Sequence, residues 1–288
     1  MKSGFVNIFG RPNAGKSTLL NALAGEKLAI ISHKVQTTRH RIKAFLNGDG
    51  YQIILSDTPG IIKPEYKLHE KMMQSVKSSL EDADVAILLA DASDDPEKMD
   101  EVFSNLRLKV PVILALNKVD KVNEARQKEM IAFFKGRPYG KEIIRLSALK
   151  QTNTNDLLQA VLAHLPEGMP FYDEDELTDL PQRFFAAEFI REKIYTLFEE
   201  EIPYQTTVLV RAFEEKTTLI KITADIVVQR ESQKGIILGE KGSMIKKLGT
   251  ESRKSLEDFL QSKVFLELFV KVRPKWREND LYLKEYGY

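Results

Sequence analysis

The sequence predicts an α/β fold, a mostly parallel sheet with helices on both faces, followed by a smaller α+β part. Three observations carry that prediction. Near-continuous apolar runs alternate with helical stretches between residues 5 and 146, as in strands buried on both faces. Pro166, Gly168, Pro170 and Pro181, with the acidic run Asp173-Glu174-Asp175-Glu176, then interrupt the alternation. Beyond them the order becomes α-β-β-α-α-β with a tail helix. The expected bounds are 1–168 for a first domain, 169–182 for a linker and 183–288 for a second domain; the interrupted stretch would also suit a surface loop.

Bulk properties narrow the function classes. At 288 residues and 43% hydrophobic content, the chain can bury two cores. Its 43 basic and 42 acidic residues leave a net charge of +1, so any nucleic-acid site has to be a local patch. The absence of cysteine excludes disulfides, thiol catalysis and thiolate metal sites. No apolar run approaches the roughly 20 residues of a membrane helix. Met1-Lys2-Ser3-Gly4 leads straight into the first strand and leaves no room for a signal peptide, so the cytoplasm is the expected location.

Taken in order, Phe5-Val6-Asn7-Ile8-Phe9 reads as a strand and Thr18-Leu19-Leu20-Asn21-Ala22-Leu23-Ala24 as a helix. Residues 41–46 and 51–55 are β-rich runs joined by Asn47-Gly48-Asp49-Gly50, which predicts a hairpin. Buried strands are expected at 85–90, 110–116 and 143–146, with helices at 67–80 and 124–134 among those between them. In the second part, helices are expected at 183–200, 234–238 and 243–260, strands at 206–213, 219–228 and 264–272, and a last helix at 275–283. Gly10, Asp57, Asn117 and Ser147 all fall just past strand ends, where open parallel sheets bind their ligands.

Between the first strand and first helix stands Gly10-Arg11-Pro12-Asn13-Ala14-Gly15-Lys16-Ser17, a full match to G-x-x-x-x-G-K-[ST]. Its glycines let backbone N–H groups turn inward around phosphate oxygens, and the helix start adds unpaired N–H groups there. Lys16 supplies a charge for the β- and γ-phosphates and Ser17 a ligand for Mg²⁺. Phosphate contacts are expected along the whole loop as far as Thr18.

Asp57-Thr58-Pro59-Gly60 follows a strand as a Walker-B aspartate does, with Asp57 facing Mg²⁺ and the Gly60 N–H facing the γ-phosphate. Alone, D-x-x-G is also an ordinary turn. Asn117-Lys118-Val119-Asp120 fits N-K-x-D: a carboxylate accepts from the N1–H and N2–H₂ edge of guanine and would be left unpaired by adenine. By itself this tetrapeptide is also a strand-end turn. In order after the two phosphate motifs it predicts a guanine site, with Ser147-Ala148-Leu149 offering a backbone N–H to guanine O6.

In the second part, Gly239-Glu240-Lys241-Gly242 lies between two expected helices. A glycine helix-to-helix turn would look the same. Glycines there also let a nucleotide backbone approach closely, and Ile236, Ile237 and Ile245 can line a base groove beside them, with core packing the job expected of at least one. Lys241, Lys246, Lys247, Arg253 and Lys254 concentrate positive charge nearby, either as a solvated helix face or as phosphate contacts. Trp276 can stack on a base or pack the last helix. The four histidines have neither metal spacing nor a nucleophile partner.

The four nucleotide motifs resemble those of translation-factor-like GTPases. With Gln36-Thr37-Thr38-Arg39-His40 and a G-x-x-G inside an α-β-β-α-α-β unit, nearly the whole chain resembles the Era family. That resemblance implies a P-loop GTPase domain joined to a type II KH domain. It implies a GTPase with Lys16, Thr38 and Gly60 in its catalytic machinery, and Mg²⁺ held by Ser17, Thr38 and Asp57. Thr37 and Thr38 could equally serve a turn. Asn13 becomes a K⁺ ligand by the same resemblance, or a loop residue bonding its own backbone. Ile61 stands where Ras-like enzymes place a water-orienting Gln, and a hydrocarbon cannot orient water; backbone, another residue, a monovalent cation or a partner has to place it, so slow intrinsic hydrolysis is expected.

The implied partners are GTP or GDP, the 3′ end of 16S ribosomal RNA and the 30S subunit, whose assembly the protein would assist as a monomer. GTP would order residues 30–40 and 57–66. Peripheral association with the inner face of the cell membrane, proposed for some family members, has no signature in the residues. Two rivals remain at this level: an ATP-dependent motor or kinase, which Asp120 opposes, and an RNA-binding protein whose nucleotide site is only structural.

Overall fold

In the computed structural model, which describes residues 1–288, ten helices and nine strands follow one another as two groups. The first group is β1 (Lys2–Phe9), α1 (Lys16–Ala24), β2 (Ile42–Gly48), β3 (Tyr51–Asp57), α2 (Lys67–Glu81), β4 (Val85–Asp91), α3 (Pro96–Ser104), β5 (Val112–Asn117), α4 (Glu124–Lys135), β6 (Ile143–Arg145) and α5 (Thr154–His164). The second is α6 (Gln182–Leu197), α7 (Ile202–Gln205), β7 (Thr207–Glu215), β8 (Ile220–Val228), α8 (Glu231–Leu238), α9 (Ser243–Leu260), β9 (Val264–Val272) and α10 (Asp280–Glu285).

The first sheet has the order β2-β3-β1-β4-β5-β6. Only β2 runs antiparallel to its neighbour, because it is hairpinned to β3 through the predicted turn. β4 is apolar and buried from Val85 to Ala90, so both faces must be covered there. One face, through Ala86, Leu88 and Ala90, packs on Met99 and Phe103 of α3 and on Met130 and Phe134 of α4. Alternation sends Val85, Ile87 and Leu89 to the other face. Register then places the functional ends together: Ile8 pairs with Asp57, and Asp91 pairs with Asn117.

The second sheet has the order β7-β8-β9, antiparallel then parallel, with a bulge between Val210 and Ala212. Phe185 and Phe189 of α6 meet Phe259 of α9 with ring centroids 5.3 and 4.9 Å apart. Helices and sheet together keep the expected α-β-β-α-α-β order, with α7 as an added turn. The expected last helix is two pieces, a 3₁₀ turn at Trp276–Glu278 and then α10. Asn279 causes the break: extended at φ −110°, it accepts from the N–H of Leu281 (2.9 Å) and so caps a new helix. Trp276 is buried and donates its indole N–H to the Gln205 carbonyl (3.0 Å), so it packs the fold.

Two compact units result: Met1–Lys63 with Met72–Asp179, and Pro64–Lys71 with Leu180–Tyr288. The stretch expected as a linker forms no helix or strand before α6, yet up to Asp179 it runs along the β2–β3 hairpin within the first unit. The Phe45 N–H donates to the Leu177 carbonyl (2.9 Å), Tyr172 stacks on Phe45 (3.8 Å), and Lys43 pairs with Asp179 (2.8 Å). These contacts cover an edge strand that would otherwise expose its ladder groups. Pro64–Lys71, far away in sequence, belongs with the second unit; there the Arg277 guanidinium lies 4.2 Å from the Tyr66 ring centre.

Candidate functional site

The nucleotide motifs meet at the carboxyl ends of β1, β3 and β5 and line a cleft of about 310 Å³. Pro12, Asn13 and Gly15 to Thr18 come from the first loop; Gly60, Asn117, Lys118, Asp120, Ala148 and Leu149 come from the other three. Gly15 has φ +99°, and a Cβ there would sit 2.4 Å from Asn117 Nδ2, so only glycine lets these two loops close on each other.

Lys16 is buried, and its ammonium donates to the carbonyls of Gly10 (3.1 Å) and Arg11 (3.0 Å). Burial pushes its pKa down to about 8, with Asp57 opposing the shift. Asp57 is buried too, and desolvation raises its carboxyl against the pull of Lys16, Ser17 and Thr38. Its Oδ2 accepts from Ser17 Oγ (2.6 Å) and Thr38 Oγ1 (3.1 Å), and those two hydroxyls lie 2.8 Å apart. Its Oδ1 is buried with no hydrogen-bond partner. Three oxygen-bearing side chains therefore meet at the Asp57 carboxylate, whose second oxygen is left unsatisfied, and together they make the donor set of a hard divalent cation. Thr37 is not among them; its hydroxyl turns back to the Lys34 carbonyl (2.7 Å).

On the base side, Asn117 ties three loops together. Its amide donates to the Ala14 carbonyl (2.8 Å), and its Oδ1 accepts from the Ala148 N–H (2.9 Å). That bond engages one of the backbone N–H groups of residues 147–149, the loop expected to meet guanine O6. Ser147 faces away, exchanging backbone bonds with Thr152 at 3.1 Å. Lys118, left-handed at φ +61°, lays its stem across the cleft and reaches the Asn13 carbonyl (2.7 Å) and Asp91 (2.6 Å). Burial alone would raise the Asp91 carboxyl; hydrogen bonds from Lys118 and Ser93 outweigh it and hold the carboxyl below its ordinary value. Asp120 is exposed at the rim.

Arg11 points away to Asp94 (2.5 Å), Thr58 braces the Ile8 carbonyl (2.7 Å), and Ile61, half-buried, packs against the edge of the core cluster. Asn13, left-handed at φ +62°, donates its amide to the His33 carbonyl (2.8 Å). Asp91 and Asn21, which clasps Leu28 and Ala29 (3.0 and 2.8 Å), were not foreseen. Asp91 ends a strand at the same sheet edge as Asp57 and Asn117, and that position was a usable signal.

In the second unit, Gly239 to Gly242 form the tight link between α8 and α9. Gly239 has φ +71° and ψ 175°, and a Cβ there would fall 2.6 Å from the Met244 side chain. Glu240, Lys241, Lys246 and Lys247 are exposed beside it, and Ile236 is exposed while Ile237 is fully buried. A groove of about 390 Å³ runs between Ile245, Lys246, Gly249 and Arg253 of α9 and the edge of β9 at Val264 to Leu268. The β9 wall is a part of this interface that the sequence reading did not name.

Comparison with known proteins agrees with this arrangement at both ends of the chain. Residues 5–118 match the family described as 50S ribosome-binding GTPase, and residues 201–277 match the KH domain family. The GTPase Era of Geotalea daltonii is 45% identical over 99% of this chain and 97% of its own length. A chloroplastic GTPase ERA-like protein of Oryza sativa is 42% identical over the whole chain and 69% of its own length. Two solved Era structures superpose with TM-scores of 0.96 at 41% identity, covering 100% of this chain and 99% of theirs. One is an Aquifex aeolicus Era variant bound to GDP and aluminium fluoride; the other is Era with MgGDPNP and nucleotides 1506–1542 of 16S ribosomal RNA. A P-loop domain carrying an N-K-x-D motif at its sheet edge, followed in one chain by a KH unit and matched end to end by these relatives, makes this protein a member of the Era family of GTPases.

Proposed function

We propose that this Era-family GTPase is a switch that binds the 3′ end of small-subunit ribosomal RNA through its second unit and assists 30S assembly. The observation that carries the reading is the coexistence, in one chain, of the Ser17–Thr38–Asp57 cluster and the glycine loop with its basic flank. The first senses a terminal phosphate; the second suits an unstacked nucleic-acid strand.

Lys16, released from the Gly10 and Arg11 carbonyls, pairs with the β- and γ-phosphates, and Gly60 directs its N–H to the γ-phosphate. Mg²⁺ fits the oxygen set of Ser17, Thr38 and Asp57 and, when bound, neutralises phosphate charge. Thr38 belongs to the segment that must close for this set to form, so γ-phosphate loss frees residues 30–40. Asp120 selects guanine, Lys118 covers the base, and an N–H from residues 147–149 meets O6. With Ile61 packed against the edge of the core cluster, no side chain at that position orients water, and intrinsic hydrolysis is slow. Asn13 is the candidate K⁺ ligand; equal turnover in K⁺ and Na⁺ would dismiss it.

In the second unit, Gly239, Glu240, Lys241 and Gly242 approach the RNA backbone, Lys246 and Lys247 pair phosphates, and Ile236 meets a base. The working bounds of the domains are 1–168 and 183–288. The protein works as a cytoplasmic monomer, with the inner membrane face a candidate secondary location. RNA affinity with a GTP analogue and with GDP tests the switch: different values are expected, and equal values would leave two independent sites.

A further inference from the structure

We propose that the outer face of the β7–β8–β9 sheet is a second platform for single-stranded RNA, with bases stacking on Phe265 and Phe269. It rests on the reading of the second unit as an RNA binder and extends the strand's path beyond the groove.

The two rings are 51% and 47% exposed, although they stand on a strand whose other side is the helix-covered core. Alternation along β9 puts Phe265, Glu267, Phe269 and Lys271 on one face, while Val264 and Val270 are buried on the other. Leu268, on that second face, lies 3.7 Å from where a Cβ on Gly249 of α9 would be. The phenylalanines are four residues apart on one strand, about 13 Å. A flexible chain can therefore place a base on each.

Charge on this face favours a polyanion. By alternation Lys263, Lys271 and Arg273 project with the rings, beside one acid of the same strand, Glu267, while Glu214 of β7, across from Lys221, pairs with Lys216 (3.6 Å). Glu267 is matched locally: Lys221 lies 3.2 Å from it, and Thr223 donates to it at 3.3 Å. Asp225, across from Phe269, is engaged by Arg211 at 2.8 Å. The carboxylates are thus compensated while Lys263, Lys271 and Arg273 remain exposed. Lys221 and Lys271 sit 5.9 and 5.7 Å from the centres of the two rings, near the outer limit of a cation–π contact. They flank the rings more than they cap them, which leaves room for a base and places an ammonium beside its phosphate. Aromatic rings interleaved with cations are how sequence-tolerant single-strand sites are built. Phe265 also lines the groove beside α9, so a strand leaving the groove meets this ring first.

The test uses the full chain and two labelled RNAs, one of about 4 nucleotides, the length such a glycine loop clamps, and one three times as long. Phe265→Ala with Phe269→Ala is expected to weaken the long RNA at least about tenfold and to leave the short RNA unchanged. Phe269→Trp should restore most of the loss that Phe269→Ala causes. Because stacking rather than charge is removed, the salt dependence should keep its slope. Equal affinity of wild type and double variant for the long RNA overturns the platform, as does an equal loss on both RNAs. If long-RNA affinity is unchanged but co-sedimentation with small subunits is lost, the face docks a protein and the RNA platform is overturned. A wild type that binds neither RNA removes the RNA reading itself, a result distinct from the others.

Discussion

The nucleotide site hides its working polar groups, whereas the RNA site displays them. Lys16, Asp57 and Asn117 are buried, and Lys16 and Asn117 are held by named carbonyls or N–H groups. Lys241, Lys246 and Lys247 project into solvent around a glycine turn. Apart from the Asp57 oxygen left open beside Ser17 and Thr38, these buried groups are partnered, so the first site is largely shaped before its ligand arrives. A surface cation gains little from any one neighbour and works through summed charge. Substitutions in the first site should therefore act one at a time and steeply; those in the second should act gradually and in proportion to number.

The largest effect expected from this contrast is at Lys16. Lys16→Met removes a charge-assisted contact made in a site closed to water, and GDP affinity should fall about 100-fold. Titration calorimetry would read it directly. Thermal unfolding gives a second reading, since the stabilisation by a given GDP concentration shrinks with the affinity. A loss under about threefold would mean that the buried ammonium is not a phosphate ligand.

The matching change in the second unit is Lys246→Gln with Lys247→Gln. Two lost phosphate contacts should lower the slope of log affinity against log salt by about 1.4 and weaken RNA binding about tenfold at physiological salt. The unfolding temperature should not move, because neither side chain is buried. If either single variant abolished binding, the surface site would be as specific as the buried one and the contrast would fail.

A smaller effect tests the rim of the nucleotide cleft, where burial is partial. Asp91 is held below its ordinary carboxyl value by the hydrogen bonds of Lys118 and Ser93, which outweigh desolvation. Its contribution is therefore complete above the unfolded value near 3.8 and is lost as pH falls through the lower folded value. Asp91→Asn should be less stable than wild type at pH 6, and the difference should shrink as pH drops below about 4. Chemical denaturation across that range measures it. A gap that stays constant would show that the Lys118 contact carries no charge-dependent stability.

The same contrast explains what could be read in advance. A site built of buried polar groups needs fixed residue types at fixed spacing, so Gly15, Lys16, Ser17, Asp57 and Asn117 were all legible, and strand β9 was foreseen residue for residue. What tertiary pairing decides was not legible. The placement of Pro64–Lys71 with the second unit, and of residues up to Asp179 with the first, depends on contacts between chain segments more than a hundred residues apart. The engagement of the Ala148 N–H by Asn117 is likewise a loop-to-loop bond with no sequence period behind it. Phe265 and Phe269 were visible only as strand residues; their exposure needed the sheet order that makes β9 an edge.

The smallest effect lies at Asn279, where a local signal was present but outweighed in the sequence reading by helical periodicity. Its side chain accepts from the N–H groups of Leu281 (2.9 Å) and Tyr282 (3.3 Å), the first orphan donors of α10. Asn279→Ala leaves those donors to water and should cost about 1 kcal/mol, a shift of a few degrees in the unfolding temperature. Asn279→Gly, which keeps the extended cap and readmits water, should cost only a few tenths. Because α10 anchors Arg211 through Glu285 (3.1 Å), at one end of the open sheet face, its fraying should also loosen that ion pair. Hydrogen exchange at Leu281 and Tyr282 would register the fraying before any global melt does. If the alanine variant matched wild type in both readings, the tail would be held by the packing of Trp276 and Tyr286 alone, and the break at Asn279 would follow from that packing instead of causing it.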